Sequence, residues 1–194
     1  MKEDVLREVF SVYEILKDSM KVTRRSIAKD VFNLHSRTIF LYEQKGKMLE
    51  KLSESEEELE HIMILSLFAS FERELRVSIQ NIIDNNVNKC NSTVDKLATL
   101  AKSSIERWSV QDMVEAFSDV VDLSLRSTIK QIYEYRNWVA HGKNPNKLPA
   151  IRTDPKTVLI SLVDFILQAK QAMQNSQNVN CGVLELGVRP EISE

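Results

Sequence analysis

The chain has 194 residues, of which 43% are hydrophobic and 28% charged, with four Gly, four Pro and two Cys. This length suits one domain with its own core, and the scarcity of helix breakers favours helices over turn-rich β-structure or disorder. The formal net charge of -2 excludes a bulk polyanion binder of the histone kind. The two cysteines, Cys90 and Cys181, lie too far apart for a CxxC zinc or redox motif.

The sequence contains no segment typical of export or membrane insertion. The N-terminal stretch MKEDVLREVF is charged from its second residue and lacks an apolar signal core. The most apolar stretch, IMILSLFASF (62–71), is too short to span a bilayer. We therefore expect a soluble, cytoplasmic protein that makes no membrane contact.

The first half of the chain shows helical periodicity. Apolar residues recur every three or four positions over 3–21 and again over 24–52, which predicts an N-terminal helical hairpin. Gly46 allows a bend or break in its second arm. Ser55 and Glu58 have the spacing of a capping box, which predicts that a third helix starts there and that its acidic run is a solvated first turn.

The second half contains further signals for the ends of helices. Gly142 is suited to the position after a helix C-terminus, because glycine adopts the left-handed conformation at little cost. The last helix should begin at Pro155 and end near Met173. The remaining predicted helix starts are Ser92 with Asp95 in capping-box spacing, Ser109 with Asp112 in the same spacing, and about Asp119.

These elements predict an all-α protein, an antiparallel helical bundle with an N-terminal helical hairpin. We expect the hairpin to occupy 1–52, either apart from the bundle or packed on it. The bundle should occupy 53–174 and a C-terminal tail 175–194. Within the tail, VLEL (183–186) is compatible with a short strand or with a surface segment.

Charge is segregated along the chain. Residues 126–156 contain seven basic and two acidic side chains, whereas residues 43–60 contain seven acidic and three basic ones. The basic segment includes the motif YRNWVAHGK (135–143), at the expected end of a long helix. A locally basic segment is what binding to a nucleic-acid backbone requires.

The spacing within this motif favours a site shared by two chains. Arg136 and His141 are five positions apart, or about 140° around a helix, so one chain does not present them side by side. Asn137 and His141 are four positions apart and share a face. Two-fold pairing of identical chains would bring two arginines and two histidines to one cleft.

Such a cluster suits the cleavage of RNA without a metal. A histidine near neutral pKa exchanges protons with the 2′-hydroxyl or the leaving oxygen, while a guanidinium holds the phosphate. This assigns His141 to acid/base catalysis and Arg136 to the phosphate. An exposed Tyr135 or Trp138 would stack on a base. The residues expected to hold neighbouring phosphates are Lys143, Lys147 and Arg152.

Structural alternatives stay open for the same residues. Arg136 can pair with an acid, His141 can cap helix carbonyls, and Trp138 can belong to the core. His35 and His61 have no Cys, His or paired carboxylates at metal-ligand spacing, so we expect them to be structural or solvent-facing.

The motif YRNWVAHGK, which closes a long helix in an all-α chain, resembles the HEPN superfamily (higher eukaryotes and prokaryotes nucleotide-binding domain). The hallmark of that family is Arg, four to six residues and then His, matched here by Arg136 and His141, with the polar Asn137 after the arginine. FASFERELR (68–76) is similar to an aromatic and acidic stretch of several HEPN families, with Glu72 as its acid. The resemblance covers roughly residues 55–173.

The resemblance implies a metal-independent, homodimeric endoribonuclease without a cofactor, a toxin or phage-defence effector with a partner or antitoxin protein. Arg136, Asn137 and His141 would form its catalytic set, with Glu72 and Tyr135 in support. Family toxins silenced by nucleotidyl transfer have a tyrosine where this chain has Lys143, which argues against that form of regulation. The alternative is a non-catalytic dimeric scaffold or a regulatory subunit that binds nucleotide or RNA.

Overall fold

The computed structural model describes residues 3–29, 31, 37–87 and 92–182. All regular elements in these ranges are helices, so the predicted all-α class is confirmed. None of the described helices combines the length and apolarity needed to cross a bilayer. The helices are α1 (Glu3–Ala28), α2 (Lys45–Val87), α3 (Ser92–Ile105), α4 (Val110–Glu115), α5 (Leu123–Ala140) and α6 (Pro155–Gly182).

The first helix, α1, is longer than predicted and packs antiparallel on the first part of α2. Its apolar stripe continues beyond residue 21 to Ile27, which is buried. The Lys45 ammonium group at the start of α2 donates to the carbonyl of Ala28 at the end of α1, at 2.8 Å. Near the middle of α1, the Tyr13 hydroxyl donates to Glu60 at 3.3 Å.

The bounds predicted for the second arm of the hairpin, 24–52, are wrong, because α1 continues to Ala28 and α2 begins only at Lys45. Residues 37–42 form turns, and the backbone N–H of Phe40 donates to Thr38 Oγ1 at 3.2 Å. Such local side-chain bonds compete with helix formation. The break predicted near Gly46 lies just before it, so that Gly46 belongs to the first turn of α2.

The helix start predicted at Ser55 is also wrong, because α2 passes through this position without interruption. The Ser55 hydroxyl donates to the carbonyl of Lys51 at 2.8 Å, one turn back, instead of capping a helix end. The chain is already helical from Lys45, so no unpaired N–H groups need a cap here. The boundary expected between 52 and 53 falls inside α2, which extends for about 65 Å.

The acidic run of α2 makes ion pairs instead of forming a solvated first turn. On the side that faces α1, Glu56 contacts Arg24 at 2.6 Å and Glu60 contacts Lys17 at 3.0 Å. Residues four positions apart lie on one face of a helix, so these two acids bind α1 together. The expectation that the run is only solvated is therefore incorrect.

The core lies between the middle of α2 and the helices α5 and α6. The ring of Phe71 meets the ring of Phe165 edge to face, with centroids 5.4 Å apart. Phe165 also contacts Phe117, at 5.8 Å, and Phe68 contacts Phe71, at 5.7 Å. Edge-to-face geometry is favourable for aromatic pairs, and these rings join three segments of the chain. The apolar residues of α2 that are buried here are Met63, Ile64, Leu67, Phe68, Phe71, Leu75 and Ile79.

Two of the predicted helix starts are confirmed by their caps. Ser109 and Asp112 form the complete capping box that begins α4. Asp154 accepts the backbone N–H of Lys156 at 3.0 Å and precedes Pro155, the first residue of α6. The last helix extends beyond the predicted end near 173, to Gly182. The VLEL segment (183–186) lies outside the described residues.

We predict that Arg76→Met destabilises the fold by about 2 kcal/mol, because Arg76 joins α2 to the link between α3 and α4. Its guanidinium donates to the carbonyls of Ile105 and Trp108, at 2.6 and 3.1 Å, and these acceptors would lose a charged donor. Urea unfolding measures the change. Arg73→Met removes an exposed arginine from the same helix and should change the unfolding free energy little; equal losses would contradict this role for Arg76.

Candidate functional site

The motif ends α5 in a Schellman turn. The N–H of Lys143 donates to the carbonyl of Trp138 at 2.9 Å, and the N–H of Gly142 donates to the carbonyl of Val139 at 3.2 Å. Gly142 has a φ of 83° and Lys143 a φ of 55°. The predicted role of Gly142 after the helix is confirmed. The turn sends the chain away from the helix axis directly after His141.

His141 is the C-cap residue of α5 and its side chain is exposed. Its backbone N–H donates to the carbonyl of Asn137 at 3.0 Å. An exposed imidazole at a helix C-terminus is open to a ligand.

Asn137 connects the arginine of the motif to the histidine. The Arg136 guanidinium donates through Nη1 to Oδ1 of Asn137 at 3.0 Å. Arg136 Nε is buried and has no hydrogen-bond partner among the described residues. Asn137 and His141 line one surface cleft of about 370 Å³, together with Glu134, Trp138, Asn144 and Lys147.

Arg136 is not one of the described residues that line this cleft, so one chain brings together Asn137, His141 and Lys147 but not the arginine. This arrangement agrees with the separation of about 140° expected from the helix. For the arginine and the histidine to act on one phosphate, a rearranged Arg136 or a second copy of the chain is needed.

Trp138 fixes the loop that follows the helix. Its indole Nε1 donates to the carbonyl of Asn144 at 2.9 Å. Its ring lies 5.7 Å from that of Tyr135 and 6.3 Å from that of His61, between centroids. The indole is therefore held on one side by the loop and on the other by two rings.

Two of the three predicted phosphate-binding cations are paired with acids of α2. Lys143 forms a close ion pair with Glu58, and Arg152 contacts Glu57 at 2.8 Å. The hydrogen bond from Lys143 lowers the pKa of Glu58. Lys147 is exposed and has no ion-pair partner within the described ranges. The acidic run thus binds α1 through one face and the segment after α5 through another.

His61 is buried beneath the motif, which agrees with a structural role. Its ring is 5% exposed, and its Nδ1 has no hydrogen-bond partner in the part of the chain that the structure describes. Burial, followed by the positive charge of Lys143, lowers the pKa of His61. Its imidazole is therefore neutral at physiological pH. His35, the other lone histidine, lies outside the described residues.

The two supporting residues of the predicted site have other surroundings. Glu72 accepts from Arg76 at 2.9 Å, next to the link between α3 and α4. Tyr135 is 2% exposed, and burial raises the pKa of its hydroxyl. Tyr135 is therefore too buried to stack on a base. Trp138 is only half-buried, so part of its side chain is accessible.

The sequence reasoning missed Glu57, Glu58 and His61 as neighbours of the motif. The sequence could show only that, in a helix continuous through 55, positions 57, 58 and 61 share a face different from that of 56 and 60; it did not show that this face meets the motif. The apparent capping box at Ser55 concealed this pattern.

We predict that Gly142→Ala destabilises the protein by about 1 kcal/mol, because an L-residue is strained at this positive φ. The matched control is Gly46→Ala. A Cβ atom meets nothing within 4 Å at either position, but Gly46 lies in a helical turn, so alanine should be neutral or stabilising there. Thermal unfolding of both variants distinguishes conformational strain from a general effect of adding a methyl group.

Comparison of the chain with protein-family models, with curated proteins and with solved structures gave no significant match. The resemblance to the HEPN superfamily therefore stays a prediction from the motif and the helical pattern.

Proposed function

We propose that this protein is a metal-independent endoribonuclease of the HEPN type, which acts as a homodimer. The observation that carries the proposal is the end of α5, where an exposed histidine shares a cleft with Asn137 and Lys147, and Asn137 is hydrogen-bonded to Arg136. This set contains an acid/base group, a cation without an ion pair among the described residues, and an arginine hydrogen-bonded to its neighbour.

The reaction follows from the chemistry of these groups. An imidazole takes the proton of the 2′-hydroxyl while that oxygen bonds to phosphorus, and the bond from phosphorus to the 5′-oxygen breaks. A second imidazole protonates the leaving oxygen. The products are a 2′,3′-cyclic phosphate, or a 3′-phosphate after hydrolysis, and a 5′-hydroxyl. No metal is required, because RNA supplies the nucleophile and protein side chains move both protons.

The homodimer supplies the second histidine in this proposal. With one His141 in each chain, two-fold pairing of the α5 ends places two imidazoles and two guanidinium groups around one phosphate. Arg136 would then stabilise the charge that develops on the phosphate oxygens. Such an enzyme fits the role of a toxin or phage-defence effector that a partner protein restrains.

We expect His141→Ala and Arg136→Ala to lower the rate of RNA cleavage in EDTA, the histidine variant by about 10²- to 10⁴-fold. Lys156→Ala is the control, because it removes an exposed cation of the same basic segment at the start of α6. Sedimentation on the same samples reports the oligomeric state. Cleavage unchanged in both motif variants, or absent in folded wild type on varied RNAs, would remove the nuclease proposal and favour the non-catalytic scaffold.

The ion pairs of Lys143 and Arg152 generate a second prediction, since their carboxylates compete with RNA phosphates. Glu57→Gln combined with Glu58→Gln should tighten RNA binding several-fold. A plot of the logarithm of the binding constant against the logarithm of the salt concentration should also become steeper. Its slope should change by about 0.7 for each cation that gains a phosphate of single-stranded RNA. Binding is measured in the His141→Ala background, where the substrate stays intact.

The control for this prediction changes the net charge by the same amount on the same helix. Glu50→Gln with Glu54→Gln neutralises two exposed acids for which the described residues provide no ion pair. This control should leave the salt slope unchanged. Equal effects from the two double variants would mean that only the bulk charge of the protein matters.

A further inference from the structure

Trp138 also lines a second cleft. Its volume is about 270 Å³, close to the lower end of the range for ligand sites. One wall is aromatic and the other is an apolar part of the loop that follows the motif. The aromatic wall consists of His61, Tyr135 and Trp138. The loop wall consists of Leu148, Pro149 and Ile151.

The aromatic wall is a connected set of rings, in which Trp138 is half-buried while Tyr135 and His61, 2% and 5% exposed, support the indole from within. The centroid of His61 lies 6.2 Å from that of Tyr135 and 6.3 Å from that of Trp138. The bond from the indole to the loop carbonyl keeps this wall in place. The opposite wall carries Leu148, whose side chain is 71% exposed. A flat, apolar-faced ligand between the walls would remove this leucine from water, which is favourable.

Polar groups lie at the mouth of the cleft. At the mouth, the ion pair of Arg152 with Glu57 offers donors and acceptors to the edge of a ligand. At the back lies the neutral ring of His61, whose Nδ1 is buried 3.9 Å from a carboxylate oxygen of Glu58 and is not offered to the cleft. Apolar walls with a few placed polar groups are typical of sites for small planar ligands.

The two clefts adjoin each other. Trp138 lines both, and consecutive residues of the loop divide between them, Lys147 lining the cleft of His141 and Leu148 the second. A ligand with a phosphate beside Lys147 and His141 would therefore have its adjacent planar group near the indole of Trp138. A nucleotide of single-stranded RNA has this combination, and bases bind readily to aromatic side chains.

We infer that the second cleft is a base-binding subsite, which takes the nucleobase next to the phosphate held at His141. This inference rests on the proposed function, because it assigns the occupant as RNA. It adds an element of base selectivity that Arg136 and His141 lack, since in the proposed reaction these two residues would contact only the RNA phosphate.

The test uses Trp138 as the reporter. The chain contains two tryptophans, so Trp108→Phe leaves Trp138 as the only indole. This protein is titrated in EDTA with each of the four nucleoside 5′-monophosphates, and with ribose 5-phosphate as the ligand without a base. We expect saturable quenching by at least one nucleotide and none by ribose 5-phosphate.

A matched pair of variants locates the ligand. In the Trp108→Phe background, Leu148→Ala should weaken nucleotide binding about fivefold, because it removes apolar contact from one wall. Leu123→Ala is the control: Leu123 is 73% exposed, as Leu148 is 71% exposed, but it begins α5, about 23 Å from Trp138 along the helix. This control should leave the affinity unchanged.

The inference is overturned if no nucleotide quenches Trp138, if ribose 5-phosphate quenches equally, or if the two leucine variants behave alike. Its failure is separable from that of the nuclease proposal, because binding is read without cleavage. Quenching that depends on Leu148 in a protein that cleaves no RNA would retain the base subsite and remove the enzyme. Cleavage that depends on His141, without any quenching of Trp138, would retain the nuclease proposal and remove the base subsite.

Discussion

The burial of one apolar face of α2, between Met63 and Ile79, is the constraint on which the rest of this structure depends. All the other described helices pack against α2, and the ring contact of Phe71 with Phe165 joins it to the C-terminal helix. Because α5 packs against the same helix, the end of α5 comes to lie beside the acidic run that precedes the core face. The position of the motif is therefore a consequence of core packing.

The acidic run has a second consequence, which is electrostatic. Through one face it binds α1, and through another it binds Lys143 and Arg152. Pairs as exposed as these contribute little to stability, about 0 to 1 kcal/mol each. Their more important effect concerns any anion that approaches the motif, since such an anion must compete with carboxylates already in place. Lys147 and His141 form no ion pair within the described part of the chain, and Glu134 is the carboxylate that lines their cleft.

Much of the end of α5 was predictable, because the signals there are local. The turn at Gly142 and the common face of Asn137 and His141 need only the geometry of a single helix. The partners of Lys143 and Arg152 were not predictable in this way, since Glu58 and Glu57 lie 85 and 95 residues away in sequence. The burial of Tyr135 against His61 also depends on how two helices pack, which the periodicity of either helix leaves open.

Periodicity, caps and breakers were thus sufficient for the helical class, for the starts of α4 and α6 and for the C-terminus of α5, because each depends on hydrogen bonds within a few residues. Those same local signals misplaced the start of α2, since the pattern at Ser55 resembles a cap but the chain is already helical ten residues earlier. Tertiary packing alone established the continuity of α2, the ion pairs around the motif and the two clefts that share Trp138. These features depend on contacts between segments far apart in the chain, for which one sequence contains no periodic signal.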